Sequence, residues 1–430
     1  MKVLNLATTD ENAAGVACRN MNDMFLQAGH QSVLLVKESA SGYPGVIALN
    51  KKKYGINTDS YLFKLKYKFH QLFRLFFPFE KDDKYSFHNV DEGFRSVTGA
   101  EILQKLPYKP DLIFVFWVSG FINMETVNEL AKLCGARIVW MMTDNAPLTG
   151  GCHYPWDCKG FHSDCSGCPA ILTPSKKKIA SRNLALKKAN MPEKMELISG
   201  SDSDYNRAKA SSLFNGKKIY KLVAPIDETK FQPGHKTAAR SYFGISAEKK
   251  VIFYGANSFT DPRKGSAELL NALKIVGKRL EDKKAEGTDA GKVVILLAGK
   301  EGQGFFKDIP FDVISVGFLN ETELIKAYQA ADFMVSPSLE DSGPMMINQS
   351  VMCGTPMVTF DIGVAMNIVV NGKTGYRARL FDVEDLANGI FQMLCLSETE
   401  LTQMSDHCRK SALAEIAPQV YADRIMKLFS

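Results

Sequence analysis

Residues 140–169 read WMMTDNAPLTGGCHYPWDCKGFHSDCSGCP, and three structural signals follow one another in this single run. Arg137 to Met142 is a short apolar segment of the kind that forms a strand buried on both faces of a parallel sheet. Thr143 and Asp144 stand at its end, where polar residues of open α/β sheets usually face ligand. A glycine turn comes next, and after it Cys152, Cys158, Cys165 and Cys168, the last two as Cys165-Ser-Gly-Cys168. That spacing can place two thiolates on one metal ion, with Cys152 and Cys158 completing a tetrahedral set and His153 and His162 as spare ligands. The alternative is four reduced, buried thiols. A catalytic metal fits neither reading, because four filled positions leave none open.

Outward from this stretch, strands and helices alternate to both ends of the chain. Lys2 to Thr8 reads as a buried strand, Gly15 to Ala28 as a helix and Ser32 to Val36 as the next strand, a unit of a parallel sheet. Asp111 to Val118 and Arg137 to Met142 repeat the pattern around a helix near Met124 to Cys134. A second series opens at Lys250 to Gly255 and continues through Lys292 to Ala298, Val313 to Val316, Phe333 to Pro337 and Pro356 to Phe360. Between the two series, KLVAPIDETKFQPGHKTAARSYFGIS (residues 221–246) has the prolines and glycine of a hinge. A chain of 430 residues exceeds what one hydrophobic core usually supports. The expectation is therefore α/β, with two Rossmann-like domains facing across a cleft, residues 1–225 and 226–430, and the last helix packing back on the first domain.

Composition excludes several classes. Hydrophobic content of 45% and charged content of 23% are ordinary for a globular protein. A net charge of +6 is mild and dispersed, and without a nucleic-acid-binding motif it argues against a nucleic-acid partner. The start MKVLNLATTD has no secretory signal, and no run stays free of charge for the roughly 20 residues of a membrane span. Nine cysteines, most of them scattered, fit a reducing cytoplasm. The segment YLFKLKYKFHQLFRLFFPF (residues 61–79) places Leu62, Leu65, Phe69, Leu72, Phe73 and Phe76 on one helical stripe, with Lys64, Lys66, Lys68 and Arg74 around it. Such a helix either lies in a membrane interface or packs on the first domain with its lysines in water.

TGGCHY (149–154), KLVAPIDETKFQP (221–233), FYGANSFTDPRKG (253–265), AADFMVSPSLEDSGPMMINQSVMCGTPMV (330–358) and NGKTGY (371–376) together resemble one branch of the family 4 glycosyltransferases, and only residues 40–90 lack a counterpart. The resemblance implies a GT-B fold, a nucleotide-sugar donor, retention of anomeric configuration, no metal for catalysis, and a glycan or lipid-linked acceptor for a surface polysaccharide. It places Arg263, Lys264, Glu340, Asp341, Gly343, Pro344, Met345, Met346 and Gln349 at the donor, with Asp341, Lys264, Asp144 and Thr143 at the chemistry. Physical chemistry agrees in part: a helix entered at Pro344-Met345-Met346 presents free amides to phosphate, Lys264 adds a point charge and Arg263 a bidentate one. Gly15, opening a helix after the Asp10 loop, is either a further phosphate or acceptor contact or a plain tight turn. Asp144 has a similar bland reading as a turn cap.

The chain departs from the family pattern where it matters. Asp341 and Gln349 stand where relatives carry two glutamates, Thr143 where many show histidine before aspartate, and Phe116-Trp117 where histidine often precedes tryptophan. Threonine cannot titrate near neutral pH and serves only as a hydrogen-bond partner. Two alternatives therefore stay open: a catalytically degenerate nucleotide-sugar-binding or scaffold protein, and a GT-B-like sugar-nucleotide epimerase. The cysteine set is expected to hold a structural zinc, and the enzyme to be cytoplasmic, peripheral on the inner face of the membrane through residues 61–79.

Overall fold

The computed structural model describes residues 1–39, 41–49, 79–89, 91–95, 97–285, 292–300 and 302–429. All of the 61–79 segment except Phe79 lies outside them, as does any test of its membrane reading. The chain divides into two compact units: Met1–Ser199 with Asp204–Lys221, and Gly200–Ser203 with Leu222–Phe429. No helix among the described residues is long and apolar enough to cross a membrane.

Unit 1 is built on a seven-stranded parallel sheet of order β3-β2-β1-β4-β5-β6-β7. Its strands are β1 (Lys2–Thr9), β2 (Gln31–Glu38), β3 (Val46–Ala48), β4 (Leu112–Val115), β5 (Arg137–Met141), β6 (Met195–Ser199) and β7 (Ile219–Lys221). Val3, Leu4 and Leu6 of β1 and all of β4 are buried, as a strand covered by helices on both faces must be. The helix Met124–Cys134 shows why these segments fold locally. Asn123 caps it by accepting from the Thr126 amide, Val127 and Leu130 face the core, and Gly135 ends it in the left-handed conformation at φ 68°.

Unit 2 repeats the architecture with six parallel strands in the order β10-β9-β8-β11-β12-β13. These are β8 (Lys250–Ser258), β9 (Val293–Lys300), β10 (Asp312–Ser315), β11 (Phe333–Ser336), β12 (Met357–Phe360) and β13 (Gly375–Ala378). The strand signals of the sequence reappear with ends that differ by at most three residues. The sequence reading names no strand at β3, β6, β7 or β13. The proline-containing segment after Lys221 is not loose at its start. Arg409 donates to the carbonyls of Phe231 at 2.7 Å and Glu228 at 3.0 Å, and the Ile226 amide donates to Ile416 at 2.9 Å, so residues 226–231 are fastened to the helix Glu398–Ile416 of unit 2.

Each sheet has one point where strand order reverses. In unit 1 it falls between β1 and β4, in unit 2 between β8 and β11. The loops leaving such neighbouring strands diverge to opposite faces and open a crevice at the carboxyl ends, the usual ligand position in open α/β sheets.

Candidate functional site

At the reversal point of unit 2, the loop after β8 and the loop after β11 are drawn together. Asp261 caps the short turn Pro262–Lys264 by accepting from the Arg263 amide at 3.0 Å, and its other oxygen takes the Arg263 guanidinium at 2.6 Å. Gly265 then turns in the left-handed region at φ 64°, where a Cβ would meet the Pro337 carbonyl oxygen at 1.8 Å. Only glycine lets the two loops touch there. The contact continues as the Leu339 amide donates to the Arg263 carbonyl at 2.8 Å. Across it, Lys264 Nζ pairs with Asp341 Oδ2 at 2.5 Å while Asp341 Oδ1 accepts from the Gly343 amide at 3.1 Å.

The helix Met345–Met352 starts at the end of the same loop, with Pro344 at its N-cap and no side chain capping it. Its first amides and the positive end of its dipole are thus offered to an anion. Ser342 lies beside them, and its hydroxyl is buried with no hydrogen-bond partner among the described residues, an arrangement that asks for a ligand atom or a water. Glu340 is buried, 2% exposed, next to Asp341. One turn into the helix, Gln349 accepts from the Tyr328 hydroxyl at 2.9 Å. Its carbonyl oxygen is therefore engaged, and its amide group is the end left to donate. Met346 packs its terminal methyl where a Cβ on Gly255 would stand at 2.5 Å.

Unit 1 treats its expected residues differently. Asp144, after β5, is 6% exposed and fully engaged: Oδ1 accepts from the Ala146 amide at 2.8 Å and Oδ2 from His153 Nδ1 at 2.7 Å. The carboxylate fixes the proton on Nδ1. The Trp117 indole N–H, 3.3 Å from that same nitrogen, accordingly meets a proton and adds little, whereas Ser119 Oγ lies 3.3 Å from Nε2. Asp144 is thus both the turn cap of its bland reading and the orienter of a buried histidine, and His153, set aside as a spare metal ligand, belongs to this pair. Thr143 is half-buried beside it. Gly15 lies in the first turn of the helix Ala13–Gln27: Asn12 Oδ1 takes its amide at 2.8 Å, and a Cβ would stand 2.3 Å from the Thr9 carbonyl oxygen.

The cysteine loop folds onto the same unit. Cys152, Cys158, Cys165 and Cys168 line one cavity with Tyr85, Phe87 and Phe161, and none is in a disulfide. Burial pushes the Cys152 thiol up to about 12 and Cys165 up to about 11, and the neighbouring sulfurs add to both rises. Among the described residues, no three His, Cys, Asp or Glu side chains are drawn together as a formed metal site. His162 is exposed and does not line the cavity.

Residues 248–395 match the Glycosyl transferases group 1 family. The matched group 1 segment contains every strand of unit 2 and both loops that bring Lys264 to Asp341. Among curated relatives, a D-inositol 3-phosphate glycosyltransferase of Mycobacteroides abscessus is 28% identical over 185 residues, 40% of this chain and 38% of the relative. Another from Rhodococcus erythropolis is 24% identical over 258 residues, 54% of this chain and 56% of the relative. The chain thus spans 38% and 56% of the length of these two. Among solved structures, a sucrose-phosphate synthase from Thermosynechococcus elongatus aligns with a TM-score of 0.62 at 14% identity, covering 100% of this chain and 98% of that one. Anabaena HepE in complex with UDP aligns with a TM-score of 0.60 at 14% identity, covering 100% and 99%. At that identity the likeness concerns the fold, which is α/β of the GT-B type with two Rossmann-like units.

The residues that sequence reading missed are His153 on Asp144, Tyr328 on Gln349, Asp261 on Arg263, and Ser342, whose buried hydroxyl has no partner among the described residues. Only Asp261 left a sequence signal, as an N-cap residue before proline.

Proposed function

We propose that the protein is a retaining glycosyltransferase that moves a hexosyl group from a nucleotide-sugar donor to a glycan or lipid-linked acceptor, in the cytoplasm and in the service of surface polysaccharide synthesis. The observation that carries this reading is the cluster at the reversal point of unit 2. A lysine held by an aspartate, an uncapped helix N-terminus and a buried, unpartnered hydroxyl converge where a diphosphate and its sugar would lie. The group 1 match over residues 248–395 and a structural neighbour solved with UDP support it.

In this mechanism Lys264, Arg263 and the first amides of the helix stabilise the negative charge that grows on the departing diphosphate. They supply the positive charge that a divalent ion supplies in other transferases, so the proposal needs no metal for the chemistry. Asp341 has two duties, steering Lys264 and accepting from a sugar hydroxyl, with Glu340 behind it. Gln349, whose amide group is free to donate, orients the ribose. On unit 1, Thr143 serves the reacting face and Asp144 acts through His153.

Incubation with a panel of nucleotide sugars and acceptors, with products resolved by NMR, tests the proposal. Transfer with retained anomeric configuration is the expected result. Donor binding without transfer or hydrolysis would leave a non-catalytic nucleotide-sugar-binding protein, and recovery of an epimerised sugar nucleotide would make the chain an epimerase.

A further inference from the structure

The cysteine loop has no part in the proposed reaction, yet it is built with more care than packing alone requires. Residues from four places in a seventeen-residue stretch, Cys152, Cys158, Cys165 and Cys168, arrive at one cavity walled by Tyr85, Phe87 and Phe161. Cys152 is brought there by an isolated antiparallel bridge to Phe87. The other end is brought by a turn in which Cys165 itself sits at φ 57° and Gly167 at φ 64°. A left-handed non-glycine residue is uncommon and persists only where its surroundings hold it.

A donor is also aimed at the sulfur of Cys158, where the Gly160 amide lies 3.4 Å from Sγ. A neutral thiol is a weak acceptor and gains little from such a contact. A thiolate bound to a cation gains much, since outer hydrogen bonds orient the ligand and offset its charge.

We propose that this cavity is a structural zinc site in which the sulfurs of Cys152, Cys158, Cys165 and Cys168 close a tetrahedral four-thiolate shell. Thiolates select a soft or borderline ion over calcium or magnesium, and a full shell leaves no open position for chemistry. The sulfurs share the cavity without yet standing as a formed group of three, so the ion draws them inward. Cys158, the only one of the four that is not fully buried, is the ligand at the open edge. The site acts as a clip for the 152–168 loop, whose neighbour His153 carries the bond to Asp144.

Elemental analysis of the full chain purified without added metal should find about one zinc per chain. Cobalt titrated into the chelated protein should give the intense thiolate-to-cobalt absorption of a tetrahedral sulfur shell. Cys158→Ser should weaken metal binding by more than about tenfold, the loss known for outer-shell partners alone. Cys353→Ser, at a buried cysteine of unit 2, should leave it unchanged. If Cys158→Ser does not fold, the cobalt spectrum of the parent decides. Cobalt bound without that absorption, or a folded, metal-free parent whose four thiols all react with a thiol reagent, would overturn the site.

Discussion

Lys264 and Asp341 stand 2.5 Å apart in a half-open crevice, and the pair defines what single substitutions should do there. Lys264→Ala removes a charge-assisted contact to the leaving diphosphate and should cost about 2–4 kcal/mol of transition-state stabilisation in kcat/KM, with the fold intact by circular dichroism. Wild-type turnover in that variant would remove Lys264 from the mechanism. Asp341→Asn acts in the other direction on binding. It deletes the negative charge that competes with a diphosphate for the lysine, so the donor's nucleoside diphosphate should bind more tightly by calorimetry while kcat falls, because the lysine is no longer steered. Weaker binding would show that Asp341 serves the ligand rather than the lysine. Ser342→Ala should lower donor affinity without lowering stability, since its hydroxyl has no hydrogen-bond partner among the described residues to lose.

Elements are positioned by what passes between them, and Gly265 is the tightest such point in unit 2. An alanine there meets both a left-handed φ and a carbonyl oxygen at 1.8 Å from its Cβ. The backbone conformation alone costs about 1–2 kcal/mol, and the overlap must be relieved by parting the loops after β8 and β11. Gly265→Ala should therefore lower the denaturation midpoint and also weaken binding of the donor's nucleoside diphosphate, because Lys264 moves with its loop. Urea melts and calorimetry on one preparation check both; a variant as stable as the parent would mean that the loops do not meet as described. The same scale explains the histidine question. The strand end of β5 lacks a histidine in sequence, yet the TGGCHY turn carries His153 back to that strand end and seats it on Asp144.

Across the whole molecule, the donor cluster and the cysteine loop belong to different units, so ligands of each should leave separate marks. The nucleoside diphosphate of the donor, at about a hundred times its Kd, should stabilise the protein by about 2.7 kcal/mol. In hydrogen exchange, its protection should concentrate in residues 253–265 and 337–349 of unit 2. Protection centred instead on the strand ends of unit 1 would place the nucleotide in the wrong unit and undo the assignment of Lys264.

The alternation of buried apolar runs with helical stretches settled the α/β class and the two-part organisation from sequence, because parallel strands covered on both faces must be continuously apolar. The loops proposed for the donor were also marked out in the sequence, since FYGANSFTDPRKG and LEDSGPMMINQ keep their polar and charged residues within a few consecutive positions. What tertiary structure decided were the pairings between segments far apart in the chain. Lys264 meets Asp341 across 77 positions because β8 and β11 are neighbours in the sheet, an order that no local pattern encodes. Asp144 illustrates the same limit. Its residue type suits a ligand contact or a turn equally well, and only the fold shows its carboxylate turned toward His153.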